Sequence, residues 1–417
     1  MTALPTSVVI VSRGRGAELS RCLLAVSQLD HPAFEVIVVA DPEGLAAVAR
    51  SGLAGRIKTV PFDAPGISAA RNAGIAAAAG ELIAFLDDDA VPEPAWLRHL
   101  AGAIETTGAE AAAGYVRGRN GISFQSRAVA VDPLGRDLPL EFDGDAPVVP
   151  QVPAGAAVKT VGTNCAFRRD VLLALGGFDP AITFFMDETD LDLRLAAAGG
   201  RVAVAPLAEV HHAFAPSPRR RADRLPLDLA DIGRSSARVM RRHAPWADAG
   251  RRFAELRAEQ EARIARHVQA GNCPPEALGR LLATLERGWA EGLRAPLEGG
   301  PWLARASPPA FLRFRPERPF GADLVLAGSL LAAGRLRREA ARAVREGRRT
   351  SLYLFDHTPR RHRLRFTADG VWEQSGGLYG ASDRGDPPFR FWRFRARVER
   401  ECARTRLVRA TVVSEGK

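Results

Sequence analysis

The chain begins with an uninterrupted β-branched run, Ser7 to Ser12 (SVVIVS), the pattern of a strand buried on both faces of a parallel sheet. From Glu18 to Leu29 the apolar positions Leu19, Cys22, Leu23 and Val26 recur every three or four residues and predict a helix with one buried face. A second run, Phe34 to Ala40, ends at Asp41, and after a small-residue stretch Ile57 to Val60 predicts a short third strand. Ser68 to Ala79 reads as an Ala-rich helix, and Leu82 to Leu86 as a strand that runs into Asp87, Asp88 and Asp89. Further on, Asp170 to Leu175 and Thr189 to Ala198 read as helices, and Arg201 to Ala205 as a strand leading to His211 and His212. This alternation predicts an α/β fold, a doubly wound sheet flanked by helices, with ligands at the carboxyl ends of its strands.

Between these elements, Gly135 to Gly155 is rich in Gly, Pro and Asp and lacks periodicity, so we expect a mobile loop of the kind that closes over substrates. Composition changes near Phe214, where Pro216, Pro218 and Arg219-Arg220-Arg221 follow. We therefore expect one domain over 1–215 and an Arg-rich region over 216–417, helical across 225–346 and strand-containing across 350–417. Leu278, Leu281, Leu282, Leu285, Trp289 and Leu293 form a helical stripe that faces a core. Ser351 to Phe355, Arg363 to Thr367 and Phe389 to Val398 read as strands, with Asp369-Gly370 as a hairpin turn. Alternating Phe and Arg from Phe389 to Arg395 is what any half-buried strand shows, which outweighs base stacking on single-stranded nucleic acid.

Composition narrows the class. The 417 residues are 46% apolar and 25% charged, which excludes a disordered, collagen-like or disulfide-stapled chain. With 58 Lys+Arg against 48 Asp+Glu the net charge is +10, which by itself suggests a polyanionic partner. Split at residue 212, the first part carries −8 and the second +18, so that argument applies to the second part alone. Lys occurs only at 58, 159 and 417, and abundant Ala, Gly and Pro accompany the Arg, as in a GC-rich coding bias. Cys22, Cys165, Cys273 and Cys402 form no C-x-x-C pair, so neither a zinc site nor a disulfide framework is expected. With no leader-like start and no long apolar run, we expect a reducing cytoplasm, with neither secretion nor membrane insertion.

Three clusters carry candidate chemistry. Asp87-Asp88-Asp89 at a strand end are self-repelling carboxylates that need a cation, and oxygen ligands suit Mg²⁺ or Mn²⁺. The alternative is an acidic turn, or Asp89 capping a helix that starts near Pro92 to Trp96. Upstream, Arg71 and Asn72 lie in Gly66 to Gly74 (GISAARNAG), where a guanidinium can stand beside a diphosphate or base. In the third cluster, Phe184 to Arg194, Asp187 and Glu188 open a helix, and Asp190 pairs in spacing with Arg194.

The blocks ISAARNAGIAAAAGELIAFLDDDAVPEPAWL, GTNCAFRRDVLLALGGFDP and FFMDETDLDLRLAAAGGRVAVAPLAEVHH, in this order, resemble the family 2 glycosyltransferases of the GT-A fold over about residues 6 to 214. The resemblance implies a mixed GT-A sheet and an inverting, single-displacement transfer of a sugar from a UDP-, GDP- or dTDP-sugar to a hydroxyl of a glycan, lipid-linked or other acceptor. It makes Asp87 to Asp89 the D-x-D element, with Asp89 and Asp87 on a divalent metal and Asp87 and Asp88 near ribose and sugar. It sets Ser12, Asp41 and Arg71 at the nucleotide, and His211 or His212 at the metal. Glu188 is the first choice as base, with Asp187 the alternative, and Asn164 and Asp190 fall on the acceptor side. The chain departs from the family at Ser12-Arg13-Gly14-Arg15, at Ala40-Asp41-Pro42, and in having Asp-Glu where Glu-Asp is commoner.

Two other classes compete. A sugar nucleotidyltransferase would show a Gly-rich basic loop after the first strand, of which Arg13-Gly14-Arg15-Gly16 is an echo, but the DETDLDLR block has no place in it. A degenerate, non-catalytic binding module conflicts with acids at all three positions. For the basic second part the charge suggests acceptor selection, oligomerisation, or peripheral contact with an anionic membrane at the inner face, and nucleic acid is not expected as a partner.

Overall fold

The computed structural model describes residues 3–213, 215, 217, 219–303, 307–316, 320 and 323–409. Phe214, Pro216, Pro218 and Lys417, used above to read the composition, lie outside the described residues. In the first half the elements are β1 (Thr6–Ser12), α1 (Gly16–Val26), β2 (Phe34–Ala40), α2 (Pro42–Arg50), β3 (Lys58–Pro61), α3 (Ile67–Ala77), β4 (Leu82–Asp87), β5 (Ala90–Pro92), α4 (Trp96–Thr107) and β6 (Ala111–Arg117). There follow β7 (Phe124–Ser126), β8 (Val129–Val131), β9 (Asp137–Pro139), β10 (Ala157–Val158), β11 (Cys165–Arg168), α5 (Arg169–Ala174), α6 (Asp187–Ala197) and β12 (Val202–His212). The second half holds α7 (Ala230–His243), α8 (Ala249–Gln269), α9 (Glu276–Arg294), β13 (Leu324–Ser329), α10 (Ala333–Arg345), β14 (Thr350–Asp356), β15 (Arg363–Phe366), β16 (Val371–Gly377) and α11 (Phe394–Arg409).

The expected doubly wound mixed sheet is present, in the order β3-β2-β1-β4-β11-β6-β12-β5, with β7 on β6. β1 to β4 are parallel, and β11 is inserted antiparallel between β4 and β6. Every residue of β2 is buried, as a central strand covered on both faces requires. One core lies under α1, α2 and α4, with Leu19, Leu23, Val38 and Trp96 in it, and the other under α3, α5 and α6, with Ile75, Phe85, Phe178 and Leu191.

Several expectations need correction. The small-residue stretch after Asp41 is a helix, α2, and the Asp-Pro start is the signal for it: Asp41 Oδ1 accepts from the Gly44 N–H at 2.9 Å, and Pro42 occupies the first turn. Asp89 caps no helix, because α4 starts at Trp96 after Ala95. Within Gly135 to Gly155, residues 137–139 pair with β8 and Val148 bridges Val204, so the stretch is partly tied to sheet. Phe389 to Val398 is not a strand. Val398, Cys402, Thr405 and Val408 bury one helical face of α11, and this three-to-four-residue period overrides the short Phe/Arg alternation. The strand β13 lies inside the stretch expected to be helical, since Leu324 to Ser329 pairs in register with Leu-rich β14.

The second half packs back on the first. α7 and α9 cross so closely that a Cβ on Gly288 would lie 1.9 Å from the Ala230 carbonyl oxygen. The small sheet β13-β14-β16-β15 places Trp372 and Phe366 against Val91 and Ala25. Gln28 in the first half donates to the Gly370 carbonyl at 2.8 Å and accepts from the Trp372 indole at 3.2 Å. Gly370, at φ +78°, makes the predicted hairpin turn between β15 and β16. No described helix is long and apolar enough to cross a membrane.

Candidate active site

Parallel pairing aligns the ends of β1, β2 and β4, so Ser12 lies beside Ala40 and Val11 beside Asp87. The Asp41 carboxylate is held by two backbone donors, Gly14 and Gly44, each at 2.9 Å, and thereby ties the first turn to α2. After Asp87 the chain leaves the sheet centre for its far edge, where β5 pairs antiparallel with β12 and Ala90 stands opposite His212. That register brings His212 Nε2 to 3.1 Å from Asp89 Oδ1 and 3.9 Å from Asp87 Oδ2. One ligand atom each from Asp87, Asp89 and His212 lies within 4.8 Å of the others.

Strand alternation turns the neighbouring histidine the other way. His211 Nε2 lies 2.7 Å from Glu93 Oε1, and Glu93 in turn accepts two hydrogen bonds of 2.5 Å from Arg409. His211 therefore stands apart from the Asp87/Asp89 group. Glu93, Glu209 and His211 form a second acidic cluster, but Arg409 and Arg117 neutralise it.

The acids differ in protonation. Burial opposes the charge of Asp89, yet His212, the Ala215 N–H at 2.6 Å and Arg15 hold its carboxyl well below the usual range. Burial pushes Asp88 up to about 7 despite Arg15, whose Nη1 is 2.9 Å from Asp88 and 3.7 Å from Asp89. Burial also raises Asp87, against His212 and Arg71. Two carboxylates and an imidazole are a donor set that suits Mn²⁺ or Mg²⁺. Arg15 was not singled out as a site residue; its signal was the basic Arg13-Gly14-Arg15 turn after β1.

Arg71 links this group to the second one. Its guanidinium is 3% exposed, lies over the rings of Phe178 at 5.3 Å and Phe85 at 5.8 Å, and reaches Glu188 at 2.8 Å and Asp87 at 3.7 Å. It also donates to Asp187. Burial works against its charge, but Glu188, Asp187 and Asp87 hold it more firmly protonated than an ordinary Arg. Phe185 and Met186, both at φ 66°, precede α6 in the left-handed region, a strain of about 1–3 kcal/mol each that sets where the acids of the first turn emerge. Burial and the neighbouring Glu188 charge raise Asp187, whereas Glu188 is lowered: burial opposes this, and Arg71 and the Asp187 hydrogen bond outweigh it. The Glu188 side chain is 21% exposed and that of Asp187 4%, so Glu188 is the ionised acid open to the cleft. Gly162, missed by the sequence reading, borders both groups: a Cβ there would lie 1.9 Å from Arg71 Nη2 and 2.0 Å from Glu188 Oε1.

Two residues that the resemblance set on the acceptor side are committed to structure. Asn164 is fully buried, accepts from the Trp96 indole at 2.7 Å and donates to the carbonyls of Tyr115 and Ala208 at 2.9 and 2.7 Å. Asp190 is fully buried and binds Arg194, Arg242 and His243 at 2.9, 2.7 and 3.0 Å. Neither side chain is left facing the cleft. Asn72 likewise exchanges hydrogen bonds with the Phe178 backbone at 2.8 and 2.9 Å.

Residues 7–175 match the family described as Glycosyl transferase family 2. The chain is 31% identical over 216 residues to the succinoglycan biosynthesis protein ExoM of Rhizobium meliloti, an alignment covering 49% of this chain and 64% of that protein. It is 33% identical over 157 residues to the pre-mycofactocin glycosyltransferase of Mycobacterium tuberculosis, covering 35% of this chain and 30% of that one. The chain thus spans less than two thirds of the length of these relatives. Among solved structures, a mannosyltransferase from Pyrobaculum calidifontis in complex with GDP-Man and Mn²⁺ matches with TM-score 0.42 and 16% identity, over 70% of this chain and 88% of that one.

Proposed function

We propose, with the family 2 glycosyl transferase match of residues 7–175 as the premise, that this chain transfers a sugar from a nucleoside diphosphate sugar to an acceptor hydroxyl with inversion. The observation that carries the reading is Arg71, which touches Asp87 of the metal-donor group at 3.7 Å and the ionised Glu188 at 2.8 Å. One buried cation thus joins the two halves of a displacement site.

Glu188 acts as the base. A sugar hydroxyl is a poor nucleophile and needs its proton taken during attack by a carboxylate within hydrogen-bond reach. Asp187, buried and with its carboxyl pushed up by burial and the Glu188 charge, holds Glu188 in place together with Arg71. On the other side, Asp87, Asp89 and His212 would hold a divalent cation, which when bound supplies positive charge against the developing charge of the leaving diphosphate. Arg71 adds a fixed positive charge near the same oxygens. Ser12 and Asp41 line the nucleotide side, where Asp41 acts through the turn it holds. The acceptor is a hydroxyl of a glycan or lipid-linked saccharide.

The test is nucleoside diphosphate release from a panel of UDP-, GDP- and dTDP-sugars, with Mn²⁺ or Mg²⁺ and with EDTA. Asp89→Ala is expected to lose metal-dependent donor binding and transfer. Glu188→Gln is expected to lose transfer and keep donor binding. Full turnover by Glu188→Gln would move the base to Asp187, and activity with no dependence on metal would remove the cation from the reading.

A further inference from the structure

Next to the metal donors lies a pocket with no task in sugar transfer as described so far. Its volume is about 400 Å³, and its walls are Arg220, Arg224, Arg263, Arg266, His267 and Asn272. Arg220 and Arg224 come from the turn after β12, and Arg263, Arg266 and His267 from α8. Among the described residues these walls include no carboxylate; elsewhere on α8, Arg257 pairs with Glu261 at 3.3 Å and Arg252 with Glu259 at 3.4 Å.

The walls are held in place. The Asn272 carbonyl accepts from Arg221 at 3.2 Å, its amide meets His267 Nδ1 at 3.3 Å, and Arg263 donates to Gln260 at 3.3 Å. Burial first, then repulsion, weakens the hold of Arg224 and Arg263 on their protons: Arg224 is opposed by Arg119, Arg220 and Arg263, and Arg263 by Arg220 and Arg266. A dianion relieves that repulsion, and guanidinium forks match phosphate oxygens two at a time. One residue connects the pocket to the metal donors. The Ala215 N–H donates to Asp89 at 2.6 Å, and its carbonyl accepts from Arg220 at 3.1 Å.

We propose that this pocket binds the phosphate group of a phosphorylated acceptor, a monoester or a diphosphate ester, and so presents that acceptor beside the transfer site. That the phosphate belongs to an acceptor rests on the transfer reading; the affinity of the pocket for phosphate does not. A soluble sugar phosphate and a lipid carrying a phosphate headgroup present the same chemistry.

Titration calorimetry of the full chain in EDTA, with inorganic pyrophosphate as probe, tests it. The wild type is expected to bind, and the variant Arg224→Gln/Arg263→Gln/Arg266→Gln to bind at least about ten-fold more weakly, the loss of one charge-assisted contact or more. Removal of mutually repelling charges should leave the thermal midpoint of the variant no lower, which separates lost binding from lost folding. Competition against pyrophosphate by a soluble sugar phosphate, or instead by dodecyl phosphate micelles, distinguishes the two sources. Equal pyrophosphate affinity in variant and wild type, or none in either, would overturn the proposal. So would anionic vesicles that bind both proteins alike while pyrophosphate binds neither. Asp89→Ala should keep metal-free pyrophosphate binding; if no donor sugar is ever transferred while that binding persists, the transfer reading fails and the phosphate pocket stands.

Discussion

At the scale of single residues, the site depends on a close approach that only a glycine allows. Gly162→Ala places a methyl group within 2.0 Å of Glu188 Oε1 and nearer still to Arg71, so one or both must move. A displacement of about 1 Å at a reacting group costs on the order of 10²-fold in rate, and that is the fall in kcat expected, with the unfolding midpoint little changed. Steady-state nucleoside diphosphate release reads it. Asp192 offers a different test. It is 1% exposed, accepts from the Thr160 N–H at 2.7 Å and hydroxyl at 2.9 Å, and burial pushes its carboxyl up to about 8. The native chain then keeps a proton that the unfolded chain releases near pH 4, so stability falls as pH rises from about 4 to about 8 and is level above. An amide fits the same two partners, accepting from the N–H and donating to the hydroxyl. Asp192→Asn is therefore expected to flatten that decline, measured as urea midpoints at pH 5 and pH 8.

At the scale of elements, α6 and α7 are clasped by buried charge. Asp190 binds Arg242 and His243, and Asp179 binds Arg238 at 2.6 Å and Arg242 at 2.8 Å. Asp190→Ala leaves Arg242 and Arg194 facing an empty position, and loss of one member of such a set costs about 3–5 kcal/mol. Urea unfolding should show that loss, while KM for the acceptor stays unchanged; an acceptor contact would give the reverse. The element scale is also where reading the sequence succeeded best and failed most clearly. β1, β2, β4, α1 and α3 follow from runs and periods that need no partner to be recognised. The pairing of β5 with β12 does not, because it joins three residues after the aspartates to a strand more than a hundred positions on, and it alone decides that His212 and not His211 faces Asp89. The buried partners of Asp190 and Asn164 are hidden for a related reason: a polar residue inside a motif looks the same whether it faces a cleft or satisfies a buried group. Gly162 carries no sequence signal, since its role is the absence of a side chain.

At the scale of the whole molecule, the split into −8 and +18 acquires a structural meaning. Part of the arginine excess in the second half is directed inward, with Arg238, Arg242 and Arg409 on Asp179, Asp190 and Glu93 of the first. Burial opposes the charge of Glu93, but Arg409 and His211 hold its carboxyl down to about 2. The unfolded carboxyl titrates near 4.5, so this stabilisation is complete above that pH and is lost as pH falls toward about 2. Glu93→Gln is expected to destabilise the protein by about 3 kcal/mol near pH 7 and to remove that share of its acid sensitivity, followed by circular dichroism between pH 7 and pH 2.

The Glu93–Arg409 pair also has a history in time. Its members are 316 positions apart, and the Ala95 N–H, at the start of α4, donates at 2.9 Å to the carbonyl of Val408. During synthesis at roughly 5–20 residues per second, Glu93 therefore waits on the order of 15–60 s for its guanidinium. Through that interval the turn after the three aspartates carries a carboxylate with its main counter-charge not yet made. The nascent chain can assemble its central strands early, but the segment that follows the three aspartates gains its Arg409 and Val408 contacts only when α11 leaves the ribosome, so the bracing of the first half is completed by an element made long after it.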